Sequence, residues 1–109
     1  MTTFLLALAL LQAPANYTCE GVNEDGKYAV KLEVHQHGDN YFLVWTDETG
    51  SYEGFGIKEG DKFAAVFVVQ GGVGMVLYED KGGVLDGVWA VGDGKKYTEV
   101  CKPADARAA

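Results

Sequence analysis

A chain of 109 residues with 16 acidic and 9 basic side chains carries a formal net charge of −7 at pH 7. That length holds a single domain. The charge argues against nucleic acid, whose phosphates are gripped by Lys and Arg, and the scattered basic residues offer no stripe to an anionic membrane either. A basic protein partner would be steered favourably toward such a surface.

The first fifteen residues, MTTFLLALALLQAPA, contain no charged side chain. Phe4 to Leu11 form a short apolar run, and Ala13-Pro14-Ala15 supplies a small-x-small cleavage pattern. This is the layout of a secretory signal peptide, although no Lys or Arg follows Met1. The run is too short to span a bilayer, which needs roughly 20 apolar residues as a helix. No L-x-x-C sequence precedes Cys19, so no lipid anchor is expected. The expectation is a periplasmic or extracellular domain over residues 16–102, with a disordered tail over 103–109.

The strands follow in order. After the first run, around "YTCE", the segment "KYAVKLEVHQ" sets Tyr28, Val30, Leu32 and Val34 on one face and Lys31, Glu33 and His35 on the other. "NYFLVWT" is apolar on both faces, with Tyr41, Leu43 and Trp45 in one row. "SYEGFGI" comes next, and "DKFAAVFVVQ" aligns Phe63, Ala65, Phe67 and Val69. "GMVLYE", "GVLDGVWA" and "KYTEVC" complete the series. Between them lie "NEDG", "HGDN", "DETG", "KEGD", "QGGVG", "EDKGG" and "VGDG", turns that use Gly for positive φ and Asx side chains for local hydrogen bonds. Short strands at about ten-residue spacing predict an antiparallel meander. No helical apolar spacing occurs outside the leader. The fold is expected to be all-β.

Cys19-Glu20-Gly21, Tyr52-Glu53-Gly54 and Leu85-Asp86-Gly87 recur every 33 residues, and in that register Trp45 falls on Tyr78 and Gly38 on Gly71. The recurrence reads as an internal duplication of strand units; evenly spaced hairpins would produce part of it. A single sheet of this size must curl to cover its apolar face, and closure removes its unpaired edges. In an up-and-down barrel the first and last strands are neighbours, which is where Cys19 and Cys101 lie. An even cysteine count in an exported chain favours a disulfide, worth about 4 kcal/mol in the chain-entropy model; buried free thiols are the alternative. The prediction is a small antiparallel barrel of about eight strands with one terminal disulfide.

Eight strands enclose a space that side chains can just fill or one small ligand can occupy. The inward rows carry Tyr28, Tyr41, Trp45, Phe67, Tyr78 and Trp89. These rings read either as filler for a thin core or, around Tyr41, Trp45, Tyr78 and Trp89, as the lining of a pocket for an apolar or sugar-like ligand. Glycines 54, 56, 74 and 87 would let rings approach the opposite wall. His35 and His37 share a face if both are in a strand, as an H-x-H metal pair requires. His35 nevertheless falls in the solvent-facing Lys31/Glu33 row, His37 and Asp39 fall in a turn, and no third ligand is fixed. A solvated hairpin end is the expectation, with no metal and no cofactor. Ser51 has no nucleophile-elbow context, the acidic pairs fall in turns, and "QGGVG" lacks the ending of a phosphate loop. No enzyme is expected.

The order "GDNYFLVW", "YEGFGI", "GVGMVLYE" and "GVLDGVW" resembles small exported bacterial β-domains often labelled fibronectin-binding, a resemblance spanning roughly residues 17–89 that implies fold more than activity. "YTCE" and the closing "YTEVCK" are similar to the ends of periplasmic inhibitors of C-type lysozyme. That likeness implies a disulfide-bonded barrel that blocks an enzyme cleft with a serine loop and a nearby lysine, here Ser51 and Lys58 of "SYEGFGIKEGDKFA". The leading expectation is a non-catalytic binding or interaction module of the cell envelope. The alternatives are an inhibitor of lysozyme-type glycosidases and a carrier of a small apolar ligand.

Overall fold

A computed structural model of the chain describes residues 14–104. It contains eight strands and, among the described residues, no helix: β1 (Ala15–Asn23), β2 (Gly26–His37), β3 (Asn40–Asp47), β4 (Gly50–Glu59), β5 (Lys62–Val69), β6 (Gly72–Lys81), β7 (Val84–Ala90) and β8 (Tyr97–Pro103). Each strand pairs antiparallel with the next, and β8 returns to β1, closing the barrel in sequence order. The expected fold class is therefore the observed one. Residues 1–13, which carry most of the expected leader, and 105–109 of the expected tail lie outside the described residues. The sheet extends one residue beyond the expected 16–102 domain at each end, because Ala15 opens β1 and Pro103 closes β8. Ala104 donates its N–H to the carbonyl of Asn16 at 2.9 Å, so the two ends run side by side.

Period-two alternation decides which side chains go inside. Leu32, Leu43, Trp45, Phe63, Phe67, Tyr78 and Leu85 are buried, as their sequence parity requires. Cys19 faces Cys101 in the β1–β8 register. The two are joined by a disulfide across 82 residues, and neither is exposed to solvent. The covalent link thus sits on the one pairing that no hairpin turn enforces.

Among the described residues nine have positive φ, all of them glycines at strand junctions. Gly38 and Gly71, one 33-residue period apart, adopt the left-handed region at 63° and 88°, which a side chain on Cα would penalise. That period corresponds to three strands, so β4 to β6 repeat the facing pattern of β1 to β3.

The outer wall is of two kinds. On β2 it shows Lys31, Glu33 and His35 to solvent, with the His35 Nε2 and Glu33 Oε1 atoms 3.1 Å apart. On β3 to β6 it is apolar: Phe42 pairs with Phe55, Phe55 with Val66 and Val66 with Met75. Phe55 and Met75 remain 60% and 59% exposed. This wall is why "NYFLVWT" reads as apolar on both faces.

Candidate functional site

The barrel interior divides into a filled half and an open half. Toward the β2–β3, β4–β5 and β6–β7 turns, the disulfide, Leu32, Val34, Leu43, Phe63 and Ala65 pack the core, and Tyr41 meets Phe63 edge-on at 5.2 Å between ring centroids. Toward the other end lies a cavity of about 360 Å³ that opens between the β1–β2, β3–β4 and β7–β8 connections. Rings thus pack one half of the interior and line a cavity in the other.

Tyr28, Trp45, Tyr52, Phe67, Trp89 and Tyr97 form the cavity wall. Trp45 stacks on Tyr52 at 5.5 Å and 14° between planes, and meets Phe67 edge-on at 5.5 Å. Trp89 lies 4.6 Å from Tyr97 and 6.1 Å from Tyr28. Small inward residues make room for these rings. A methyl group on Gly74 would collide with the Phe67 ring, and one on Gly87 would stand 2.6 Å from Cδ1 of Tyr78. Phe67 and Gly74 are register partners, as are Tyr78 and Gly87. The two rings therefore lie over the glycines of the adjacent strands. At Gly54 and Gly56 the added carbon would instead strike the β5 backbone.

At the floor sits Glu99 of β8, 4% exposed and the one buried charged residue among those described. Tyr28 donates its hydroxyl to Oε1 at 2.7 Å, and Tyr78 donates to Oε2 at 2.6 Å. Trp45 in turn donates its indole N–H to the Tyr78 hydroxyl at 3.2 Å. Burial, followed by the neighbouring Glu99 charge, pushes the Tyr28 and Tyr78 hydroxyls well above the ordinary tyrosine range. The same two causes push Tyr52 up to about 12. No Lys, Arg or His among the described residues forms an ion pair with Glu99. Sγ of Cys101 lies 3.3 Å from Oε2. Cys19, Glu99 and Cys101 thus cluster tightly, but the sulfurs are spent in their mutual bond, so the trio offers a metal one carboxylate only.

The rim is acidic. Glu24, Asp25, Asp47 and Asp93 stand around the mouth, with no Lys or Arg among the residues lining the cavity. Asp47 accepts from the Thr49 hydroxyl and N–H, and Asp93 from the Tyr97 hydroxyl and the Lys95 N–H. These hydrogen bonds hold both carboxyls below their ordinary range.

Of the aromatics expected to line a pocket, Trp45, Tyr78 and Trp89 do so, whereas Tyr41 belongs to the filled half. Tyr52, Tyr97 and Glu99 were not anticipated. Glu99 has a legible signal, because it shares the parity of Cys101 two residues on and must point the same way. Ser51 and Lys58 lie near opposite ends of β4, roughly 23 Å apart for seven residues of strand, and are not brought together. Lys58 pairs with Asp80 at 3.4 Å. His35 and His37 lie at the end away from the cavity, outside its lining. Neither protein-family models nor curated proteins match this chain.

Proposed function

We propose that the chain is a non-catalytic, exported binding module that takes a small ligand into the open half of its barrel. The observation that carries this reading is the cavity itself: a closed sheet that could have filled its interior leaves about 360 Å³ open and lines it with seven aromatic side chains. Concave, mostly aromatic sites with a few convergent polar groups are the usual form of a small-molecule site. The reading of no catalysis is supported by the lining chemistry. No Ser, Thr, His, Lys or free thiol stands among the residues lining the cavity. Asp47 and Asp93, held below their ordinary range, remain ionised at neutral pH and are poor general acids. Both Glu99 oxygens are already engaged by tyrosines.

Export is supported by the leader-like N-terminal sequence and by the disulfide, which persists in oxidising compartments. No helix among the described residues is long and apolar enough to cross a membrane. The outward Lys31 in the middle of β2 would cost on the order of 2 kcal/mol against lipid, and Glu33 beside it somewhat less, which argues against a membrane barrel. A glycosidase-inhibitor role draws less support, since Ser51 and Lys58 do not form one loop.

Titration of the purified domain with a small-molecule panel, read by Trp45 and Trp89 emission, tests the proposal. Saturable changes that Trp89→Ala abolishes are expected. No saturable response to any compound, with full lysozyme inhibition instead, would transfer the role to the outer surface.

A further inference from the structure

The floor of the cavity holds a buried carboxylate without a counter-ion, and this narrows the ligand. We infer that the cavity selects organic cations, an ammonium headgroup being drawn to Glu99 and enclosed by the surrounding rings. The inference rests on the proposal that the cavity is a ligand site and adds the class of ligand.

Removing a carboxylate from water is costly unless charge or hydrogen bonds compensate. Glu99 receives two hydroxyl donors, yet an ionised carboxylate has about four acceptor positions. Glu99 is itself among the residues lining the cavity, and no cationic side chain among the described residues pairs with it. A positive ligand would complete that site.

The walls suit the same charge. Trp45, Tyr52, Phe67, Trp89 and Tyr97 surround the space, and aromatic faces carry negative potential that attracts ammonium groups within about 6 Å. Rings do not coordinate a hard inorganic ion, which needs six or more oxygen ligands; a single deep carboxylate among rings fits an alkylated or primary amine better. At the mouth, Glu24, Asp25, Asp47 and Asp93 focus negative potential along the path inward. Fatty acids, phosphates and other anions meet like charge both at the rim and at the floor, so the cavity rejects the ligands that an apolar tube would otherwise take.

The experiment compares choline with its neutral carbon analogue, in which carbon replaces the quaternary nitrogen, at fixed ionic strength and with Trp emission as readout. Choline should bind at least roughly tenfold tighter than the analogue, and Glu99→Gln should reduce that preference several-fold while leaving binding of the neutral compound. Equal or tighter binding of the neutral analogue overturns the cation inference and leaves the cavity standing as a ligand site. If neither compound nor any other in the panel binds, both readings fail. Should Glu99→Gln not fold, the double variant Asp47→Asn/Asp93→Asn serves in its place. A several-fold loss for choline alone supports the inference, and an unchanged preference overturns it.

Discussion

Trp45 on β3 donates its indole N–H to the hydroxyl of Tyr78 on β6, 33 residues later, and Tyr78 donates that hydroxyl to Glu99 on β8. Three strands that are not neighbours are thereby tied through the barrel interior by polar contacts. Tyr28 on β2 adds the fourth arm. The sequence period that places Trp45 over Tyr78 is thus also a physical contact.

Tyr78→Phe should expose the weakness of such a network. The ring keeps its packing, but Glu99 loses one of its two donors and the Trp45 N–H loses its acceptor. Leaving buried polar groups unpaired costs about 1–3 kcal/mol. Urea unfolding should show that loss as a lower midpoint with an unchanged m-value. An effect below about 0.5 kcal/mol would mean that water replaces the hydroxyl.

Glycine substitutions should separate the two roles of that residue in the sheet. Gly74→Ala drives a methyl group into the Phe67 ring and should destabilise by about 1–3 kcal/mol through overpacking. Gly72→Ala, two residues earlier, meets nothing within 4 Å and should be neutral or slightly stabilising. Thermal melts of the pair check the contrast.

Loss of the disulfide in Cys19→Ala/Cys101→Ala should cost about 2–5 kcal/mol, since an 82-residue separation is released in the unfolded chain. Amide exchange should rise first along β1 and β8, whose pairing is the only one without a connecting turn. If exchange rises uniformly instead, closure does not depend on the bridge.

Alkaline pH should weaken the fold within a defined window. Tyr52 and Tyr97 are raised to about 12, the first chiefly by burial and the second chiefly by its hydrogen bond to Asp93. Tyr28 and Tyr78 are raised as well. A tyrosine whose folded value exceeds its unfolded value of about 10 keeps its proton longer in the native state. The unfolded chain then binds fewer protons, so stability is complete below pH 10 and falls as pH rises toward 12 and beyond. Melting temperature against pH checks the window, and a melting temperature that stays level from pH 9 to pH 12 would contradict it.

Much of this architecture is present in the order of residues. The alternation of Tyr28, Val30, Leu32 and Val34 against Lys31, Glu33 and His35 states which face is inside, because successive Cβ atoms in a strand point to opposite sides. The Gly-Asp-Asn junctions state where each strand ends, because only glycine enters positive φ without penalty. Cys19 and Cys101, placed in the first and last strands, state that the ends meet.

Parity, however, assigns a face and says nothing of height along the barrel axis. Height depends on strand tilt and stagger, which arise only when all eight strands pair and the sheet closes. That is why Tyr41 and Tyr52, both inward in the closed sheet, end in different halves, and why the open half could not be located beforehand. Glu99 shows the same division: its inward direction follows from Cys101, but its place at a cavity floor, between two tyrosines from other strands, exists only once the barrel has formed.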